Sequence, residues 1–169
     1  MSGGWGADYD DDGYQKRLEA YAAYLLDLRE FWPRITRLFV GWMGKQFKTE
    51  GAYWGTPWAP LSPKYAAWKA LHYPGRGILV AEGDLRRGST MLKPSQILNT
   101  PRYLVLTVEW PKKPTKNTKH YDVGWHQDGT ANMPARPLLQ EEYLTPEMQM
   151  EADEEAADYA EEVARMLAL

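Results

Sequence analysis

A chain of 169 residues with a net charge of -3 and 44% hydrophobic residues is long enough for one domain with a sizeable core. It has no cysteine, which excludes disulfides, thiolate nucleophiles and thiolate metal sites and fits assembly in a cytoplasm. The greasiest stretch, residues 38–47, is broken by Gly41, Gly44 and Lys45 and falls short of the ~20 apolar residues of a membrane span; no early apolar run resembles a signal peptide, so a soluble chain is expected.

Residues 1–13, MSGGWGADYDDDG, hold four acids and no base. With little to bury, they predict a flexible acidic arm that orders only against a partner, anchored by Trp5 and Tyr9. Over 14–47 apolar residues recur every three or four positions, at Leu18, Tyr21, Leu25, Leu28, Trp32, Ile35, Phe39, Trp42 and Met43, the stripe of a long amphipathic helix. Pro33 lies inside it, so the segment is either two helices or one kinked helix. Residues 50–63, EGAYWGTPWAPLSP, show neither helical nor strand period and read as a loop on an apolar surface. Ser62 before Pro63 then starts a short helix over 65–71 that faces inward through Tyr65 and Trp68 and ends at Tyr73-Pro74-Gly75. In ILVAEGDLRRGS, a turn at Glu82-Gly83-Asp84 leads to a brief helical turn bearing Arg86 and Arg87.

Residues 103–110, YLVLTVEW, are rich in branched and aromatic side chains and give the clearest strand. Beyond the loop PKKPTKNTK, residues 121–126 resume strand character, which predicts an antiparallel hairpin over 103–126 with a mobile basic tip. Thr145-Pro146-Glu147 opens a last helix with a cap, a first-turn proline and an acid near the positive end of the dipole. Its expected inner stripe is Met148, Ala152, Ala156, Tyr159, Val163 and Leu167. The fold class is thus α+β: a small antiparallel sheet, hairpin 103–126, packed on a long N-terminal helix, with an arm over 1–13, a main domain over 14–144 and an acidic amphipathic helix over 145–169.

Charge is segregated along these elements. Residues 141–169 carry ten acids against Arg165 alone, so the middle keeps 9 acids and 19 bases, a net +10. Such a body suits nucleic acid or the acidic helix of a neighbouring copy. The tip lysines Lys112, Lys113, Lys116 and Lys119 are candidates for salt-sensitive phosphate contacts or for an acidic partner. Eight tryptophans and eleven tyrosines against three phenylalanines favour side chains that are apolar on one side and hydrogen-bonded on the other, as at interfaces.

Chemistry finds weaker support. His126 with Asp128 and His120 with Asp122 would share a strand face, but a third ligand is missing, so no metal or acid-base site is expected. Ser62 and Ser89 lack a glycine-flanked elbow and read as caps. PGRGILVAEGD lacks the P-loop lysine, and the acids over 141–162 follow helical spacing instead of a calcium loop. The expectation is a protein without catalytic residues, metal or cofactor.

Taken in order, WAPLSPKYAAWK, PGRGILVAEGDLRRGS, a hairpin, HQDG and MPARPLL resemble the phage virion-morphogenesis family, the Mu-type tail-completion or neck proteins. The matching positions are Trp58, Leu61 and Ser62; Ile78, Leu79, Gly83, Leu85, Arg86 and Ser89; His126, Gln127 and Gly129; and residues 134–138. They cover about residues 58–139. Glu82 stands where threonine is usual, and residues 122–125 replace a commoner Tyr-Ala lead into the histidine. The resemblance implies a structural virion protein of the head-tail junction that forms a ring, a hexamer first of all, between connector or adaptor and tail tube or terminator. A tail terminator capping the tube is the alternative within that class, and a non-specific DNA-binding accessory protein the alternative outside it. Subunit contacts are then expected in residues 121–137, YDVGWHQDGTANMPARP, through Tyr121, Trp125, His126, Gln127, Asp128, Pro134, Arg136 and Pro137, with Arg136 gripping a carboxylate across the boundary.

Overall fold

The stripe over 14–47 becomes two helices. The computed structural model describes residues 11–108, 124–140 and 144–168, and in it α1 (Asp11–Leu26) stops before Asp27, whose carboxylate accepts the Arg29 amide at 3.2 Å and heads a 3-10 turn, Leu28–Glu30. This side chain competes for the amides that would continue the helix. Next, α2 (Trp32–Lys48) takes Pro33 into its first turn, where its missing N–H is no loss. Of the expected arm, residues 1–10 lie outside the described residues and 11–13 already belong to α1.

Ser62 and Pro63 start α3 (Pro63–His72) as expected, the Ser62 hydroxyl accepting the Tyr65 amide at 3.4 Å. Its orientation is a correction. Tyr65 and Trp68 are 45% and 43% exposed, and the buried residue of α3 is Lys69. The Lys69 ammonium donates to the Gly77 carbonyl in the following turn, so the helix turns that face inward. On the outside the aromatics stack on one another, Tyr65 on Trp68 at 5.5 Å and Trp68 on His72 at 4.3 Å.

After α4 (Asp84–Thr90), strands β1 (Ile97–Asn99) and β2 (Leu104–Leu106) pair antiparallel, Ile97 opposite Leu106 and Asn99 opposite Leu104. The strand expected over 103–110 is present in β2, but its partner lies upstream. Thr100 closes a tight turn, its N–H donating to the Tyr103 carbonyl at 2.9 Å and its hydroxyl accepting the Tyr103 amide at 3.0 Å. Closing that short loop costs less entropy than closing one long enough to reach residue 121. Residues 109–123, with the basic tip, lie outside the described residues, while Gly124, Trp125 and His126 fall in helix α5 (Gly124–Asp128) instead of a strand.

The C-terminal α6 (Pro146–Met166) begins as expected, with the Thr145 hydroxyl accepting the Met148 amide at 3.3 Å. It lies antiparallel to α2. Met148 joins Trp42, Met43, Phe47, Trp54, Trp58, Val80, Leu85 and Leu138 in the main core, while Tyr159 and Val163 pack on Phe31 at the other end of α2. Ala156, expected inside, is exposed. Part of the acidic face is answered within the chain: Lys45 pairs with Glu151 at 2.7 Å and Glu147 at 3.2 Å, and Arg34 pairs with Glu155 and Glu162. The Lys45 bond, followed by the Trp42 indole, holds the Glu151 carboxyl below the usual range. Among the described residues no helix is long and apolar enough to cross a membrane.

Candidate functional site

Short motifs from distant parts of the chain meet in one place, where α5 and residues 134–139 lie against the loop before α3. Gly129 makes the meeting possible. It ends α5 at φ +78, and a Cβ there would stand 2.8 Å from the Ala135 nitrogen, so only glycine lets residues 129 and 135 approach. Thr130 and Met133 then form a bridge, and the Arg136 amide donates to the His126 carbonyl at 2.6 Å.

Side chains lock this turn to its surroundings. The Gln127 carboxamide behaves as a backbone substitute: its oxygen accepts the Leu138 amide at 3.0 Å and the Leu139 amide at 3.4 Å, and its nitrogen donates to the Leu139 carbonyl. Trp58 donates its indole N–H to the Pro137 carbonyl at 2.7 Å. Gln46, buried in α2, accepts the Trp54 amide at 3.0 Å. Gly51, at φ +95, leaves room for the Trp58 ring, which a Cβ would meet at 2.6 Å. Leu138 enters the main core.

Arg136 is the clearest departure from expectation. The residue is 4% exposed and its guanidinium fork spans two carbonyls of its own chain, Nε to Ala59 at 2.7 Å and Nη2 to Pro60 at 2.9 Å. Where a carboxylate across a subunit boundary was expected, the planar donor set fastens the loop before α3.

The other expected contact residues scatter by exposure. Trp125, Asp128 and Pro134 are exposed, Gln127 and Pro137 half-buried, and His126 is 6% exposed. Tyr121, Lys112, Lys113, Lys116, Lys119, His120 and Asp122 lie outside the described residues. His126 and Asp128 do not share a face, because α5 advances about 100° per residue where a strand would alternate; one is buried and the other exposed. Burial, and after it the Arg136 charge, lowers the His126 pKa. Burial does the same to Lys69, opposed by Glu50 and assisted by Arg136.

Ser89 is not a cap. Fully buried in α4, its hydroxyl donates back to the Leu85 and Arg86 carbonyls at 3.0 and 3.1 Å. The role of Glu50, absent from the sequence reading, is to accept the Ile78 amide at 2.8 Å and hold the segment before α4. Among the described residues no three histidine, aspartate or glutamate side chains gather to hold a metal. No family model matches the chain, and neither a curated protein nor a solved structure matches it.

Proposed function

We propose that this chain is a structural virion protein of the phage head-tail junction, a neck or tail-completion protein that assembles into a ring. The observation that carries this reading is how the motif residues are used. Trp58, Gln127, Arg136 and Leu138 are bonded to or packed on one another's segments, and Leu85 and Ser89 are buried beside α2. Residues with such duties determine a fold, so a resemblance carried by them is a resemblance of fold. On that footing the task is mechanical: a rigid body presents surfaces to its own copies, to the connector above and to the tail below, and no chemical step is required.

Native mass and particle composition test it together. Light scattering on the purified chain, alone and with connector or tail, should give a mass several times that of one chain, and antibody labelling should place the protein at the neck of purified particles. Labelling at the far end of the connector-tail joint would favour the tail terminator. A strict monomer that is absent from particles would sink the reading altogether.

A further inference from the structure

Only the C-terminal part of α1 packs its side chains on the body. Tyr21 and Tyr24 pack on the Phe31, Tyr159 and Val163 cluster, but residues 14–19 are all exposed, Tyr14 at 49% and Leu18 at 42% among them. At 1.5 Å per residue the ten residues from Asp11 to Tyr21 carry the helix start about 15 Å beyond its last anchor. The sequence at and before this helix start is chemically distinctive: Trp5 and Tyr9 stand among Asp8, Asp10, Asp11 and Asp12, with no base before Lys16.

A receptor of opposite character lies between α2 and α4. Val40, Gly44, Phe47, Lys48, Arg86 and Thr90 line a cleft of about 390 Å³, well above the roughly 150 Å³ that accepts a benzene ring. Its apolar lining is Val40, Gly44 and the buried Phe47, and a Cβ on Gly44 would touch nothing within 4 Å. Lys48 and Arg86 stand exposed on its rim, and among the described residues neither makes an ion pair, unlike Arg34, Lys45 and Arg87. An apolar lining that includes one aromatic ring, beside two cations without an ion pair, fits an aromatic side chain flanked by carboxylates.

We propose that the α2–α4 cleft receives the acidic aromatic segment, residues 5–12, of a second copy of this chain. Trp5 or Tyr9 fills the space over Gly44 and Phe47, and the aspartates meet Lys48 and Arg86. The proposal rests on the ring reading and deepens it. Such a contact is heterologous, one surface of a copy against a different surface of the next, which is the kind that closes into rings.

The absence of cysteine allows a clean cross-linking test. Full-length Ala7→Cys and full-length Gly44→Cys proteins, mixed and mildly oxidised, should form a mixed disulfide at least about tenfold faster than Ala7→Cys with a control cysteine at exposed Leu71. Lys48→Glu with Arg86→Glu should abolish that preference, and adding Asp10→Lys with Asp12→Lys should restore it, since both changes lie on exposed or acidic positions and reverse complementary charges. Equal rates at the two positions would overturn the proposal, as would intrachain closure of a dilute Ala7→Cys/Gly44→Cys protein, which assigns the segment to its own cleft. Light scattering on the same samples separates the failures: a multi-copy mass without preferential cross-linking leaves the ring standing and removes the arm contact, whereas a monomer throughout removes both.

Discussion

Around Trp58, Gln127 and Arg136 polar side chains close onto backbone carbonyls and amides of their own chain, whereas along α1 Tyr14, Leu18, Leu25 and Leu26 stay open to solvent. The first region joins loops that have little regular structure, so its backbone groups need side-chain partners to be buried at all. The second is a helix whose backbone is satisfied internally and whose apolar face is not. Motif and surface are thus divided between the two. Most of what the sequence marks with short recognisable strings is inward architecture, the exposed Arg86 excepted, while the open apolar face of α1 carries no such string.

The sharpest way to break this contrast is at Arg136. Arg136→Ala removes the buried side chain that joins the half-buried Ala59 to the exposed Pro60 through their carbonyls, and with hydrogen bonds to charged groups contributing about 1.5–3 kcal/mol each, we expect a loss near 3 kcal/mol in urea unfolding. Arg136→Lys should recover little of it, because a point ammonium cannot span two carbonyls in a planar fork. A loss below about 1 kcal/mol would mean that the region is not locked as described. Trp58→Phe keeps the ring on Phe47 and Gly51 but removes the donor to Pro137, and a smaller loss of about 1–2 kcal/mol should follow.

Acid should separate the regions by pH window. His126 is held below its ordinary pKa of 6.5 by burial and then by Arg136. Its neutral form is favoured in the folded chain, so its contribution is complete above about pH 6.5 and is lost as pH falls toward the folded pKa, by at most about 1.4 kcal/mol per pH unit. Glu151 is also lowered, from 4.5, by the Lys45 bond and the Trp42 bond. Its contribution is present above that value and lost only below it. The Lys45 side chain is 43% exposed, which limits the Glu151 effect to under about 1 kcal/mol. Stability curves of His126→Gln should flatten between pH 6.5 and 5, while those of Lys45→Met should flatten only below about 4.5; interchanged windows would refute the assignment.

The same contrast explains what could be read in the sequence. Ser62-Pro63 and Thr145-Pro146 act through the amides of one helical turn, so the starts of α3 and α6 were legible from neighbours in the chain, whereas Pro33 left two helices and one kinked helix both open until the Asp27 cap decided between them. The residue composition of β2 announced a strand, but its partner depended on whether Thr100 could close a tight turn, which competes with a longer loop by entropy and not by pattern. Trp68 and Tyr65 read as core because they are apolar, yet the burial of α3 is decided by where the Lys69 ammonium finds the Gly77 carbonyl. The fixed fork of Arg136 could be inferred from residue type, whereas the two carbonyls it spans lie 76 and 77 positions away.

The smallest expected effect is the most telling for α1. Leu18 belongs to the same sequence stripe as Phe39 and Trp42, and a stripe reading alone would place all of them in the core. At 42% exposed, however, Leu18 loses little water on folding of the single chain. Leu18→Ser should therefore shift unfolding of the isolated protein by no more than about 0.5 kcal/mol, against the 2–5 kcal/mol typical of truncating a buried leucine. Circular dichroism at low protein concentration reads that difference directly. A loss in the larger range would show that Leu18 is covered within the single chain and would return α1 to the body; a loss appearing only at high concentration would place the covering surface on another copy.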